Sequence, residues 1–265
     1  MEKGNVCVSD LMKGKKGVVF GVANKRSLAW GIAQALSDHG AQMAFTYQGD
    51  RLLENVAKLA ETLPQKSPLY PCDVSQDDQI ESVFERVWDD FGGLDFLVHC
   101  IAFARKDELE GRTLDTSRAG FQVALDISAY SLVRIAKAAE PFLEKSGGSI
   151  VALSYLGAEK VIPNYNVMGI AKAALESSIR YLASDLGKKN VRVNGISAGP
   201  INTLAARGIS GFSTMLENHR SRAALGRNVE PEEVGNAALF LLSPLASGIT
   251  GEVIYVDCGY RIMGI

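Results

Sequence analysis

Short apolar runs alternate with amphipathic stretches along nearly the whole chain. Residues 17–22 (GVVFGV) are almost unbroken in their hydrophobicity, the mark of a strand covered on both faces. Runs of the same kind recur at 41–47, 68–72, 94–100, 149–154, 191–196 and 252–257. Between them lie stretches with helical period: 28–38, ended by Gly40; 51–62, stopped by Pro64; 79–91, closed by Gly92 and Gly93; 117–143; 165–186; and 230–242, started by Pro231 and stopped by Pro244. In the long stretch 117–143, Phe121, Leu125, Leu132, Ile135 and Ala139 fall on one apolar stripe. Two segments keep no clear period. Residues 103–115 read as a loop of mixed charge, and residues 203–227 are interrupted by Gly208, Gly211 and Gly226.

Seven strands alternating with about six helices predict an α/β protein: a doubly wound, seven-stranded parallel sheet of Rossmann type, with helices on both faces. No repeat or low-complexity linker breaks the pattern, so residues 1–265 read as a single domain. Such sheets bind ligands beyond the carboxyl ends of their strands, where strand order reverses. With 265 residues, 47% hydrophobic and 22% charged, the chain can bury a full core. A formal charge of −2 leaves no basic footprint, so nucleic acid is not an expected partner. Cys7, Cys72, Cys100 and Cys258 lack metal-ligand or disulfide spacing, and His39, His99 and His219 are far apart. No metal site is expected. The free cysteines, the absence of a signal-like apolar run in the first residues and the lack of any stretch long enough to span a membrane predict a soluble, cytoplasmic protein.

Candidate chemistry concentrates in residues 154–172, SYLGAEKVIPNYNVMGIAK. Tyr165 and Lys172 are seven apart, two helical turns, which puts both on one helix face. A lysine ammonium beside a phenol favours its ionisation and makes it a better proton or hydrogen-bond donor. The plain alternative is a half-buried core tyrosine and a solvated lysine. Residues 21–31 follow the first strand and open the first helix, where amide groups can hold a pyrophosphate. There Gly21 allows the turn, Ser27 offers a hydroxyl, and Gly31 permits close packing of helix on sheet. Asp73-Val74 and Cys100-Ile101-Ala102 end the third and fourth strands on the same edge. Gln48, after the second strand, is neither the carboxylate that takes ribose hydroxyls nor a base for a 2′-phosphate. Asp50 and Arg51 lie further on, towards the next helix. After the sixth strand, Gly199-Pro200-Ile201 lets backbone approach a flat ring, and Thr203 adds a hydroxyl.

From Gly17 to Gly259 this order and spacing resemble the short-chain dehydrogenase/reductase superfamily. Its common catalytic set is a serine and then Tyr-x-x-x-Lys, with the serine thirteen residues before the tyrosine. Here Met168 stands at that tyrosine position and Tyr155 at that serine position. The displaced Tyr165, giving Tyr-x6-Lys, together with Gln48, the serine-containing glycine loop and Ser-Ala-Gly-Pro-Ile, closely resembles the bacterial enoyl-acyl-carrier-protein reductases. Two positions depart from that pattern: Cys100 replaces a serine and Ala102 a glycine.

The resemblance implies NADH-dependent reduction of a trans-2-enoyl thioester on acyl carrier protein, the last step of each round of bacterial fatty-acid elongation. It implies Tyr155, Tyr165 and Lys172 as the catalytic set. Gly21, Ser27, Leu28, Gln48, Asp73, Val74, Cys100, Ile101, Ala102, Lys172, Pro200, Ile201 and Thr203 would meet the cofactor. Ala104, Tyr155, Tyr165 and Met168 would meet the substrate. NADPH is less expected, since no Arg or Lys directly follows the second strand. A homotetramer built on the helices at 117–143 and 165–186 is also implied. Residues 203–227 read as a lid over the acyl chain, with Leu204, Ile209, Phe212, Met215 and Leu216 as its apolar side. Its Arg207, Arg220, Arg222 and Arg227 either meet the acidic carrier or form a solvated face. Two rival readings are a ketone or sterol reductase, disfavoured by Met168 and Tyr155, and a non-enzymatic nucleotide sensor, whose mark would be loss of Tyr165 or Lys172.

Overall fold

The structure, a computed structural model, describes residues 10–203 and 210–264. Its strands are β1 (Lys16–Phe20), β2 (Gln42–Tyr47), β3 (Leu69–Pro71), β4 (Phe96–His99), β5 (Gly148–Tyr155), β6 (Val191–Ala198) and β7 (Val253–Val256). They form one sheet, parallel throughout, in the order β3-β2-β1-β4-β5-β6-β7. The helices are α1 (Leu28–Asp38), α2 (Asp50–Ala60), α3 (Asp77–Phe91), α4 (Arg118–Leu125), α5 (Ser131–Leu143), α6 (Asn166–Gly187), α7 (Phe212–Arg222) and α8 (Pro231–Leu242). This is the doubly wound α/β sheet that the hydrophobic pattern predicts.

Alternate strand residues serve opposite faces. Val19, Val98, Val151 and Ile196 pack with Ile32 and Leu36 of α1 and Val234 and Ala238 of α8. Their neighbours Val18, Leu97, Ile150 and Val193 pack with Phe84 of α3, Leu132 of α5 and Ile179 of α6. Both faces being covered explains why the strands carry apolar runs rather than alternation. Gly31 has a different task from the one its sequence position suggests. A Cβ there would stand 2.9 Å from the Pro231 carbonyl oxygen, and one on Gly235 would stand 2.6 Å from the Gly31 carbonyl oxygen. The glycines let α1 cross α8 closely; the fit is helix on helix, not helix on sheet.

Other boundaries differ for identifiable reasons. β1 ends at Phe20 because Gly21, at φ +98°, turns the chain out of the sheet. The long helix at 117–143 is interrupted by a π-helical turn at Asp126–Tyr130. Two buried serines account for it: Ser128 bonds both backbone groups of Phe103, and Ser131 Oγ donates to the Ile127 carbonyl and pairs with His99 Nε2. The extra residue breaks the expected stripe, so Leu132, Ile135 and Ala139 are buried while Phe121 is exposed. The segment after Asn202 holds α7, which its glycines conceal in the sequence. Leu204, Arg207, Gly208 and Ile209 lie outside the described residues, as does Cys7. Among the described residues no helix is long and apolar enough to cross a membrane, and no group of three His, Cys, Asp or Glu side chains could hold a metal ion.

Candidate active site

Strand order reverses between β1 and β4, where the Cys100 amide donates to the Phe20 carbonyl at 3.1 Å. Beyond those carboxyl ends lies a cavity of about 390 Å³. Gly21, Ser27 and Leu28 line it from the β1–α1 loop, and Cys100, Ile101, Ala102 and Ala104 from the end of β4. Tyr155, Tyr165, Met168 and Lys172 line it from β5 and α6, and Pro200, Ile201 and Thr203 from the end of β6. Gln48, Asp73 and Val74 stand apart from this lining, at the neighbouring β2 and β3 ends. The Gln48 side-chain amide donates to Asp73 Oδ2 at 2.9 Å, which ties those two strand ends together.

The cradle fits a dinucleotide. A side chain on Gly21 would collide with the Cys100 carbonyl, so only glycine leaves room for backbone to meet a ligand there. Ser27 is the N-cap residue of α1, but its hydroxyl donates to the Asn24 carbonyl at 2.6 Å and does not cap the helix. The Trp30 and Gly31 amides donate to the Ser27 carbonyl, so the Leu28 and Ala29 amides at the start of α1 are left to hold an anion. Gly199 packs where a Cβ would come within 2.9 Å of His219 Nε2 on α7, which holds the Gly-Pro segment close to that helix.

Tyr165 is set by an unusual backbone. It precedes α6 instead of starting it, and the asparagines on either side, Asn164 and Asn166, have φ of 59° and 27°. Asparagine tolerates this left-handed region better than most residues, because its short amide can bond locally. Asn164 Nδ2 donates to the Ser210 carbonyl at 2.8 Å, and Asn166 Nδ2 to the Glu110 and Gly111 carbonyls at 3.2 Å. The pair therefore ties the tyrosine's loop to both neighbouring loops. Gly157 completes the seat, since a Cβ on it would stand 2.5 Å from the Tyr165 ring. The ring meets Tyr155 edge to face, centroids 5.0 Å apart, and Tyr155 Oη donates to Met215 Sδ at 3.2 Å.

The electrostatics correct one expectation. Tyr165 is not acidified: burial pushes its phenol well above the ordinary value, and Tyr155 adds to the rise. Lys172 is itself buried, with 5% of its surface exposed, and burial pulls its ammonium down to about 8, against Cys100 and Glu176. Its Nζ donates to the Leu153 carbonyl at 2.6 Å. Tyr165 is thus a neutral hydrogen-bond donor, and Lys172 a cation at the cavity wall. Lys172 differs from the plain alternative of a solvated lysine, while Tyr165 packs with Met168 and Ala171 as a core tyrosine that also lines the cavity.

Residues 21–261 match the family model described as "Enoyl-(Acyl carrier protein) reductase". The chain is 53% identical over 252 residues to the Bacillus subtilis enoyl-acyl-carrier-protein reductase (NADH), covering 95% of this chain and 97% of that protein. The chain belongs to the enoyl-acyl-carrier-protein reductase family. A Rhizobium meliloti member is 54% identical over 257 residues, covering 97% of this chain and 94% of its own. Among solved family structures, the Bacillus cereus enzyme with NADP+ and indole naphthyridinone superposes with a TM-score of 0.95 at 51% identity. It covers 97% of this chain and all of that one. The Anaplasma phagocytophilum enzyme with NAD superposes with a TM-score of 0.92 at 51% identity, covering 96% and 97%.

In this family member the cysteine at position 100 is half-buried, and burial pushes its thiol up to about 12 against the opposing charge of Lys172. It is a small packing residue and not a thiolate at neutral pH. Phe212 and Met215, read from the sequence as apolar residues over the acyl chain, line the cavity, whereas sequence reasoning missed Leu109 in that lining and Gly157 as the seat of Tyr165. The only sequence signal for the seat was the asparagine on each side of that tyrosine.

Proposed function

We propose that this chain reduces a trans-2-enoyl thioester, carried on acyl carrier protein, to the saturated acyl thioester at the expense of NADH, closing each cycle of type II fatty-acid synthesis. The observation that carries this reading is the source of the phenol. Tyr165 reaches the cavity from its own loop, while Met168 and Tyr155 occupy the positions where a carbonyl reductase keeps its tyrosine and serine.

When bound, the dinucleotide supplies a hydride to the β-carbon of the enoyl group. Negative charge then gathers on the thioester oxygen, and the Tyr165 hydroxyl donates to it, a contribution of about 3–4 kcal/mol. Burial keeps that hydroxyl protonated, so it stabilises the enolate as a hydrogen-bond donor. Lys172 holds the nicotinamide ribose and adds positive field. Tyr155 and Ala104 shape the substrate site, and Met168 supplies its apolar wall. Gly21, Ser27 and Leu28 hold the pyrophosphate. Gln48, Asp73 and Val74 take the adenosine end. Cys100, Ile101, Ala102, Pro200, Ile201 and Thr203 bracket the nicotinamide.

The same reading makes residues 203–227 a substrate lid on a single catalytic domain; Phe212 and Met215 of α7 already line the cavity. It makes the assembly a homotetramer, supported by apolar side chains exposed along α4 to α6: Phe121, Tyr130, Ile170 and Tyr181. A cytoplasmic location agrees with free Cys72, Cys100 and Cys258.

Three substitutions test the assignment. Tyr165→Phe should lower kcat by about 10²–10³-fold with NADH affinity nearly unchanged. Lys172→Met should weaken NADH binding as well, and Tyr155→Phe should cost less than either. A Tyr165→Phe enzyme with near-normal kcat removes the enolate role.

A further inference from the structure

Glu176 is a buried acid that the reaction scheme leaves unexplained. It lies one turn beyond Lys172 on the same helix, and only 7% of its surface is exposed. Its Oε1 accepts from Ser154 Oγ at 2.5 Å. The Lys172 ammonium donates to the carbonyl of the preceding residue, Leu153, at 2.6 Å. One turn of α6 is therefore fastened to two consecutive residues of β5, and the next residue of that strand is Tyr155. A carboxylate this deeply buried is costly unless it serves a partner.

We propose that Glu176 is a positioning residue for the reaction: its carboxylate, clamped by Ser154, keeps the Lys172 ammonium charged and directed into the cofactor cavity. This rests on the role given to Lys172 above.

The groups around the pair support it. Burial raises the Glu176 carboxyl above the ordinary range, and Ser154, Arg180 and Lys172 oppose that rise, while Glu159, after β5, adds to it. Tyr255 of β7 also feels the Glu176 charge. Around Lys172, burial lowers the ammonium to about 8, and Cys100 and Glu176 act in the other direction. His99, at the end of β4, is pushed down to about 3 by burial and by Lys172, so it adds no positive charge beside the lysine near neutral pH. Glu176 is thus the carboxylate among these groups whose charge opposes loss of the Lys172 proton.

The sign of the effect follows. Removing an anion near the ammonium disfavours its charged form, so its pKa falls further. The activity that needs the cation is present below that pKa and is lost as pH rises through it. The test is the pH profile of kcat/KM for NADH in wild type, Glu176→Gln and Glu176→Asp, with thermal midpoints recorded alongside. Wild type should lose activity above about pH 8. Glu176→Gln should move that limb down by about 0.5–1 pH unit, a loss of roughly 3–10-fold on the alkaline side and much less on the acid side. Glu176→Asp, with its charge drawn back by one methylene, should move it the same way by less, and carries the test if the glutamine variant does not fold.

An alkaline limb that stays put in the folded variants, with or without a lower thermal midpoint, makes Glu176 a structural acid and overturns the proposal. A wild-type profile with no such limb contradicts the Lys172 assignment first, and this proposal with it.

Discussion

At the scale of single residues, the proposed chemistry turns on the contrast between positions 165 and 168. Both face the cavity and both are buried, with 8% and 6% of their surfaces exposed. A thioether at 168 can pack but cannot donate a proton, so among the described residues lining the cavity the phenols are Tyr155 and Tyr165. Burial holds Tyr155 up at about 12 and Tyr165 higher still, so neither ionises under assay conditions. Coenzyme choice is set at the same scale. Gln48 is already bonded to Asp73, and Arg51 lies on the exposed side of α2. A 2′-phosphate would thus lack a charge-assisted partner at the β2 end. NADH should be used with a kcat/KM at least about tenfold above NADPH, the value of one lost charged contact. Comparable efficiency with NADPH would mean that Arg51 swings back to the phosphate.

At the scale of elements, α7 changes how the basic residues of the proposed lid are read. Arg220 pairs with Glu217 at 2.7 Å, and Arg227 with Glu233 at 2.7 Å, so much of the local basic excess is cancelled. Both pairs are largely exposed and contribute little to stability. Arg222, exposed at the end of the helix, is the better candidate for meeting an acidic carrier. Arg222→Glu should raise KM for a carrier-bound enoyl substrate several-fold, at a cost of about 1 kcal/mol, and leave KM for a coenzyme A thioester alone. Equal effects on both substrates contradict carrier docking there. The strands and most helices were legible because burial on two faces writes long apolar runs and full helical periods. The π-turn was not, because its cause is a set of bonds from Ser128 to Phe103 and from His99 to Ser131 across the fold. Helix α7 was hidden by Gly211 at its start and by its weak apolar stripe. In the site, residue types and spacing pointed to the cavity lining, but the electrostatics misled. The seven-residue spacing of Tyr165 and Lys172 suggested acidification, but Tyr165 precedes α6, and burial with Tyr155 raises its phenol.

At the scale of the whole molecule, the sheet brings four strand ends to one cavity, and apolar side chains stay exposed along α4 to α6, where the proposed homotetramer would cover them. Light scattering should give four chains per particle, and a stable monomer contradicts that assembly. The central claim is that this architecture, with its phenol moved to position 165, reduces a carbon–carbon double bond and not a ketone. The direct measurement compares kcat/KM of the intact enzyme, with NADH, on a crotonyl or longer enoyl thioester and on the matching 3-ketoacyl thioester. The account predicts rapid reduction of the enoyl substrate and almost none of the ketoacyl one. Faster turnover of the 3-ketoacyl thioester would contradict it and make the chain a carbonyl reductase with a rearranged active site.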